Sequence, residues 1–192
     1  MSGVYLALVH HPVVDRAGDV ITTAVTNLDV HDIARSARTY DLAGYYVVTP
    51  IEAQHRLVDR ILGHWRDGAG ATRVPERSEA LALCRLVDSV AQASDEIAER
   101  EGKRPEIWVT SARASGDVVD ATIAGARMRE VPSLILFGTG HGLAPALLEA
   151  CDGVVAAIRG DGSYNHLSVR AAVAITLDRL FGEQGANPAG SD

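Results

Sequence analysis

Lysine is almost missing from this chain, and cysteine is scarce. Lys103 is the only lysine among 18 lysine and arginine residues, so arginine carries nearly all of the positive charge. The chain has no Gly-Lys-Ser/Thr sequence and so cannot form the phosphate-binding loop of nucleotide hydrolases. Schiff-base chemistry would have to use Lys103, which lies in a polar turn. The two cysteines, Cys84 and Cys151, are far apart in apolar surroundings, which predicts buried reduced thiols and neither a zinc ribbon nor a redox pair.

Long apolar runs are also missing. No segment approaches the roughly 20 apolar residues of a membrane span, and Met1 to Val9 is typical of a strand and lacks the basic start of a signal peptide. We therefore expect a cytoplasmic protein with no membrane partner. Adjacent His10 and His11 would point to opposite faces of a strand, and no His-x-x-x-His pattern occurs, so we expect no metal site. The net charge of −7 argues against a protein that coats nucleic acid but leaves room for a local basic patch.

Short apolar segments alternate with helical patterns along most of the chain. This predicts an α/β fold, with a mainly parallel sheet covered by helices on both faces. We expect one domain over residues 1–182, a local flexible break at residues 68–71, and a disordered tail at residues 183–192. The predicted strands are Val4–Val9, Tyr45–Thr49, Ile107–Thr110, Ser133–Phe137 and Val154–Ile158. The predicted helices are Val30–Tyr40, Ile51–Arg66, Glu76–Arg100, Val118–Arg129, Leu143–Ala150 and Tyr164–Phe181.

Three unusual loops follow consecutive strands in the second half of the chain, at residues 110–113, 137–142 and 159–165. Ligands of parallel sheets bind at the carboxyl ends of the strands, and glycines let a backbone approach a ligand closely. The middle loop has glycines at Gly138, Gly140 and Gly142. This spacing, after a late strand, differs from the dinucleotide fingerprint that follows a first strand. No Gly-x-Ser-x-Gly elbow occurs, which argues against a serine hydrolase.

Three motifs of the chain resemble those of the SPOUT, or trefoil-knot, RNA methyltransferases. Residues 163–175 resemble the last motif of that family, and residues 134–143 resemble its middle motif, with Thr139-Gly140 where many members carry Pro-Glu. Residues 33–37 resemble the first motif, whose arginine is tied to catalysis and is here Arg35. The family's asparagine, six residues earlier, is replaced by Asp29. The resemblance spans residues 4 to 182. The chain most resembles a small bacterial branch of the family, which is related to the tRNA guanine-N1 methyltransferases and is fused to them in some genomes.

The resemblance implies an S-adenosylmethionine-dependent RNA methyltransferase that yields S-adenosylhomocysteine. The expected substrate is tRNA or rRNA, methylated on a base nitrogen or a ribose 2′-oxygen. It also implies a C-terminal trefoil knot, whose loops hold the cofactor in a bent shape, and a homodimer in which the partner's arginine faces the methyl group. The cofactor-binding residues implied are Thr110, Ser111, Phe137, Gly138, Thr139, Gly140, Gly142, Ile158, Arg159, Gly160, Ser163, Tyr164, Asn165 and Leu167.

Each predicted catalytic residue also has a structural interpretation. Arg35 would fix a phosphate or the acceptor, because arginine stays protonated in proteins, but a surface or dimer ion pair is the alternative. Asp29 and Asp32 are candidate bases that would equally suit the start of a helix; His31 and His166 are further candidate bases. Ser163 and Asn165 could likewise cap a helix. Arg56 and Arg60 lie one turn apart and suit either RNA or a solvated helix face.

Two other functions remain open at this point. The first is a non-catalytic S-adenosylmethionine- or RNA-binding module that supports a partner methyltransferase, since no separate RNA-binding domain is evident. The second is a generic nucleotide-binding oxidoreductase, against which the missing first-strand fingerprint counts.

Overall fold

A computed structural model describes residues 3–110 and 118–182. The sequence alternates strands and helices through this region, as predicted. The strands are β1 (Val4–Val9), β2 (Val13–Val14), β3 (Val20–Ile21), β4 (Gly44–Val48), β5 (Cys84–Val87), β6 (Glu106–Thr110), β7 (Val118–Val119), β8 (Ser133–Gly138) and β9 (Gly153–Val155). The helices are α1 (Asn27–Thr39), α2 (Glu52–Arg66), α3 (Ala69–Arg73), α4 (Pro75–Leu81), α5 (Val90–Glu101), α6 (Ala121–Met128), α7 (Pro145–Glu149) and α8 (Val169–Phe181).

Seven of these strands form one sheet in the order β5-β4-β1-β8-β6-β9-β7. Every pairing in it is parallel, whereas β2 and β3 form a separate antiparallel hairpin. The prediction of a mainly parallel α/β sheet is therefore confirmed. The strand order is consistent with the trefoil knot implied by the resemblance, and the knot itself stays a prediction.

Both faces of the sheet are buried, because successive side chains of a strand point to opposite faces. Leu6 and Leu8 of β1 belong to the larger apolar core, which contains residues of α1, α2, α4, α6 and α8. Tyr5, Ala7 and Val9 belong to the other core, which α5 and the start of α7 cover. Helices thus cover both faces, and the ligand-accessible part of the sheet is the edge where its parallel strands end.

The predicted helix Glu76–Arg100 is wrong. The segment instead forms α4, the strand β5 and α5, and β5 pairs with β4 along Tyr45–Val48. The apolar spacing of the segment fits a helix, but Cys84–Val87 is short enough to be a buried strand, which periodicity alone cannot separate from a helix. Ser89 marks the break, because its hydroxyl accepts a hydrogen bond from the Gln92 backbone N–H and caps α5.

Several smaller expectations also need correction. The last helix begins after Ser168, whose hydroxyl caps α8, and not after Ser163, so residues 164–168 are a loop. The predicted flexible break at residues 68–71 is largely taken up by the short helix α3. Cys84 is buried as predicted, whereas Cys151 is only partly buried. The predicted tail at residues 183–192 lies outside the described residues. Within residues 3–110 and 118–182, no helix is both long and apolar enough to cross a membrane.

We predict that Gly125→Ala destabilises the fold by about 1–3 kcal/mol, the range for overpacking of a tight contact. A Cβ at Gly125, in α6, would overlap the backbone carbonyl of Leu180 in α8, and backbone cannot rotate away as a side chain can. Gly63→Ala in α2 is the matched control, because a Cβ there meets nothing within 4 Å and alanine favours a helix by about 1 kcal/mol. Urea unfolding should give opposite signs for the two variants; equal midpoints would contradict the packing argument.

Candidate functional site

A cavity of about 790 Å³ opens at the edge where β1, β8, β6 and β9 end. This volume lies within the roughly 300–1,000 Å³ of small-molecule sites. Two of the three predicted loops, those after β8 and β9, supply most of its wall. The loop after β6 contributes Thr110, and its continuation lies outside the described residues. The end of β1 adds His10 to the wall.

The turn after β8 is held in place by hydrogen bonds to the chain before and within β2. The backbone N–H of His141 donates to Val14, the N–H of Val14 donates to Gly142, and the N–H of Ala144 donates to Pro12. Gly142 has a φ of 120° and Gly140 a φ of 61°, conformations that glycine adopts without strain. A Cβ at Gly140 would also lie 3.1 Å from the carbonyl oxygen of Val14. Glycine therefore allows this turn to fold tightly against β2.

The segment from residue 157 to residue 167, after β9, has the opposite character. None of its backbone groups hydrogen-bonds to another residue in the described part of the chain. It nevertheless places Ile158, Arg159, Asn165, His166 and Leu167 along the cavity wall. Its N–H and carbonyl groups are thus available to a ligand with several donors and acceptors, between the apolar side chains of the same wall.

A partly buried chain of hydrogen bonds connects β1, the segment after β3 and the turn after β8. The Thr139 hydroxyl donates to the Val9 carbonyl at 3.0 Å, and it also contacts the Thr23 hydroxyl. Each hydroxyl has one proton, so Thr23 donates to Thr139 and accepts from Nδ1 of His10, 2.9 Å away. His10 is therefore the Nδ1–H tautomer. Its Nε2 is a buried acceptor without a hydrogen-bond partner among the described residues.

The charge state of His10 follows from its surroundings. It is 1% exposed, and burial lowers its pKa to about 4, although the negative charge of Asp29 acts in the opposite direction. The imidazole is neutral near neutral pH, where it can hold the cavity wall in place without bringing a charge into it.

Of the four predicted catalytic residues Asp29, His31, Asp32 and Arg35, Asp29 lines this cavity, and the further candidate base His166 lines it as well. Asp29 is 8% exposed and lies in the first turn of α1, where its carboxylate accepts a hydrogen bond from the Thr26 hydroxyl at 2.7 Å. Nη1 of Arg170, in the first turn of α8, lies 3.4 Å from the same carboxylate. Thr26, and not Asp29, caps α1, because the Thr26 hydroxyl accepts a hydrogen bond from the Asp29 backbone N–H. Asp29 has the predicted place at the start of the helix, and it also lines the cavity.

The other three predicted catalytic residues, His31, Asp32 and Arg35, line a different pocket of about 620 Å³ between α1, α2 and α4. Asp32 lies 3.6 Å from Nε of Arg170. Arg35 is exposed and makes no ion pair with any described residue, so the alternative of an ion pair within the subunit is not seen there. The sequence analysis predicted these four residues for one catalytic site, whereas within one subunit they line two separate pockets.

Most of the predicted cofactor residues meet at the larger cavity. Gly160, Ser163 and Tyr164 are exceptions, since they are exposed and do not line it. Ser111 lies outside the described residues. The Thr110 hydroxyl donates to the Leu136 carbonyl at 3.2 Å, so its proton is already used. The predicted residues that line the cavity are Thr110, Phe137, Gly138, Thr139, Gly140, Gly142, Ile158, Arg159, Asn165 and Leu167.

Sequence reasoning missed His10, Thr23 and Arg170. His10 had a usable signal, because it follows directly after the first predicted strand, at the edge where ligands bind. Thr23 and Arg170 had none, since their contacts join residues that are distant in the chain. Among the described residues, no group of three histidine, cysteine or acidic side chains could hold a metal ion.

Solved structures of methyltransferases share this fold. The SpoU methyltransferase AviRb from Streptomyces viridochromogenes, in complex with AdoMet, is 18% identical with a TM-score of 0.58, and the alignment covers 94% of this chain and 57% of that one. TrmJ from Z. mobilis ZM4 is 16% identical with a TM-score of 0.61, and the alignment covers 99% of this chain and 73% of that one. At these identities the similarity establishes the fold.

The sequence defines the family. Residues 3–182 match the model of a family described as SAM-dependent RNA methyltransferase, and the chain belongs to this family. The predicted membership in a family of S-adenosylmethionine-dependent RNA methyltransferases is thereby confirmed.

Two curated relatives are similar to most of this chain. A tRNA (guanine-N(1)-)-methyltransferase from Oleidesulfovibrio alaskensis is 49% identical over 179 residues, covering 93% of this chain and 42% of that protein. An uncharacterized protein from Aquifex aeolicus is 41% identical over 182 residues, covering 94% of this chain and 89% of that protein. The chain thus spans less than half the length of the relatives named as tRNA methyltransferases.

We predict that His10→Gln reduces the pH dependence of stability. The pKa of His10 is about 6.5 in the unfolded chain and about 4 in the folded protein. Between these two values the unfolded chain binds a proton and the folded protein does not, so the free energy of unfolding rises with pH across this window. Between about pH 5 and about pH 7.5 this contributes about 2 kcal/mol, which the variant should lose. His141→Gln, at an exposed position of the same cavity, is the control. Urea unfolding at both pH values measures the difference, and equal slopes for wild type and His10→Gln would overturn the assignment.

Proposed function

We propose that this chain transfers the methyl group of S-adenosylmethionine to a nucleotide of tRNA, in the cytoplasm and as a homodimer. The observation that carries the proposal is the cavity at the ends of β1, β8, β6 and β9, where a tight glycine turn faces a segment whose backbone groups are unpaired within the described chain. tRNA is favoured over rRNA by the relatives that are 49% identical and named as tRNA methyltransferases. Because this chain covers only 42% of those relatives, their guanine-N1 specificity is a proposal for this chain.

The residues of the cavity suit this cofactor. Phe137, Leu143 and Leu167 provide apolar walls for an adenine ring. The N–H and carbonyl groups of residues 157–167, which are unpaired among the described residues, can pair with the polar edge of adenine and with ribose hydroxyls. Glycines at 138, 140 and 142 keep the turn free of side chains. The bound cofactor supplies an activated methyl group, so the protein has to position the acceptor and accept one proton.

Asp29 is our choice for the group that takes this proton. Asp29 and His166 are the candidate bases that line the cavity, and Asp29 is held in a fixed place by Thr26 and Arg170. A base must lie within hydrogen-bond reach of the proton it removes, and a fixed position favours that geometry.

Arg35 is proposed to act in the partner's cavity. It lies on α1, away from the cavity of its own subunit, and no acid among the described residues pairs with it. Each cavity would then contain an arginine from the other subunit, and the site would be complete only in the dimer.

A second candidate function follows from the coverage of the relatives. This chain matches 42% of a tRNA methyltransferase, and the unmatched part of that protein could carry out the methyl transfer. This chain could then be an S-adenosylmethionine- or RNA-binding module that supports another methyltransferase. Transfer of labelled methyl from S-adenosylmethionine to unmodified tRNA by the pure chain supports the first function. Binding of S-adenosylhomocysteine without transfer supports the module. Nucleoside mass spectrometry of the product would identify the modified atom.

We predict that Asp29→Asn lowers single-turnover methyl transfer at least about 100-fold, the usual effect of removing a general base. Asparagine keeps an oxygen that can accept from Thr26, so folding and S-adenosylhomocysteine affinity should be retained. The comparison variant is His166→Gln. A large loss in His166→Gln with normal transfer in Asp29→Asn would move the base to His166.

We predict that Arg35→Ala binds S-adenosylhomocysteine and dimerises normally but loses methyl transfer. Arg35→Lys should rescue poorly, because an ammonium cannot replace the guanidinium fork. Arg38→Ala, on the same helix and paired with exposed Asp41 and Glu79, is the control and should keep its activity, since exposed ion pairs contribute little to stability.

Mixed dimers test the placement of Arg35. Ala157→Trp should block the cavity of its own subunit, because Ala157 lines it. Mixing inactive Arg35→Ala with inactive Ala157→Trp should restore about a quarter of the wild-type activity, since half of the dimers are mixed and one site in each is complete. No recovery after verified subunit exchange would place Arg35 in its own subunit's site or outside the reaction. A monomer in light scattering would contradict the dimer.

A further inference from the structure

The pocket between α1, α2 and α4, which we call the Trp65 pocket, is separate from the cofactor cavity. It has a volume of about 620 Å³. The side chains that the argument uses are Leu28, His31, Arg35, Arg60, Trp65 and Arg77.

Trp65 is the fixed aromatic wall of this pocket. The guanidinium carbon of Arg77 lies 5.0 Å from the centroid of the indole ring. The rings of His31 and His64 meet it edge-on, at centroid distances of 5.5 and 5.4 Å. The ring itself is half-buried and packs against the larger apolar core. These contacts hold Trp65 in one orientation, as an aromatic surface that receives a planar ligand must be held.

The rim of the Trp65 pocket combines apolar and cationic side chains. Leu28 and Leu57 are 59% and 43% exposed, so two large apolar side chains of this pocket face solvent. Arg35 and Arg60 make no ion pair with any described residue, and Arg77 faces the indole ring. The one acid among the described lining residues is Asp32, which lies 3.6 Å from Arg170.

This concentration of positive charge runs against the chain as a whole, which has a net charge of −7. Elsewhere on these helices, exposed arginines pair with nearby acids, as Arg56 does with Glu52 and Arg38 does with Glu79. The lining of the Trp65 pocket is thus selectively short of acids. His31 also lines the pocket, and its Nδ1 atom is buried without a hydrogen-bond partner among the described residues. A ligand could provide the hydrogen bond that this atom lacks.

We propose that the Trp65 pocket binds one unstacked nucleotide of the RNA substrate, with its base against Trp65 and Leu28 and its phosphates on Arg60 and Arg77. RNA is recognised mainly through unstacked bases that lie on aromatic or guanidinium planes, and arginine is well suited to phosphate. The proposal rests on the proposed function, since it names the surface that brings RNA to the methylating site. The combination of an aromatic wall with arginines that are unpaired among the described residues favours RNA as the occupant, because a nucleotide offers both a planar base and phosphate oxygens.

Charge reversal at two positions of α2 tests the proposal. Arg60→Glu should weaken binding of a fluorescein-labelled unmodified tRNA transcript at least about ten-fold, whereas Arg56→Glu, outside the pocket and carrying the same charge change, should weaken it less than about three-fold. Arg60→Glu should also reduce the salt slope of binding by about one contact. Equal losses in both variants would overturn the pocket and leave only a general electrostatic effect.

Trp65 also provides a direct signal, because the chain has two tryptophans and the other, Trp108, is 1% exposed. Binding of the tRNA transcript should quench tryptophan emission in the wild type and leave it nearly unchanged in Trp65→Phe, which keeps an aromatic surface. Quenching that persists in Trp65→Phe would count against the proposal.

Three controls separate this proposal from the proposed function. S-adenosylhomocysteine affinity and dimer mass should be the same for Arg60→Glu and the wild type, and the KM for tRNA should rise while kcat at saturating tRNA is kept. Loss of the dimer in Arg60→Glu would make the pocket a subunit interface and overturn the RNA proposal. If the wild type transfers no methyl group but the binding results hold, the proposed function fails while the RNA pocket stands.

Discussion

The parallel pairing of β1 with β8 positions every other part of the site. Val9 aligns with Gly138 on one side and with Val48 on the other, so the chain leaves three neighbouring strands at the same level. β6 and β9 continue this edge beyond β8. Because helices bury both faces of the sheet, polar groups and glycines gather where the strands end. A shift in the register of β8 would separate Thr139 from the Val9 carbonyl and remove the hydrogen bonds that hold His10.

The sequence allowed the general fold to be predicted, together with most residues that line the cavity proposed for the cofactor, because both depend on local patterns. Five apolar segments indicated five strands of the large sheet, and the glycines at 138, 140 and 142 indicated the turn after β8. β5 was missed because Cys84–Val87 continues the apolar spacing of the helices on both sides of it. Its strand state depends on pairing with β4, a contact between distant parts of the chain.

The predicted catalytic residues show the same limit in another way. Spacing correctly placed His31, Asp32 and Arg35 on one helix, and it put Asp29 just before a helix that in fact begins at Asn27. A helix, however, presents residues only three or four positions apart on one side, and the neighbours of each side depend on packing. α8 lies along one part of α1 and brings Asp29 into the cofactor cavity, while α2 and α4 form a different pocket around His31, Asp32 and Arg35. Which of these residues share a site is therefore a property of the assembled helices.

Arg170 connects the two pockets physically. It lies in the first turn of α8, directly after the segment that lines the cofactor cavity, and its guanidinium faces both Asp29 and Asp32 on α1. One carboxylate belongs to the cofactor cavity and the other to the Trp65 pocket. A partly buried arginine between two acids is stabilised by both, so a movement of residues 157–168 around a ligand would act on α1 through this contact. Because residues of α1 also line the Trp65 pocket, the contacts of Arg170 with Asp29 and Asp32 connect the segment before α8 to the surface that we propose for RNA. The geometry thus provides a route by which cofactor binding and RNA binding can influence each other, through one side chain and two carboxylates.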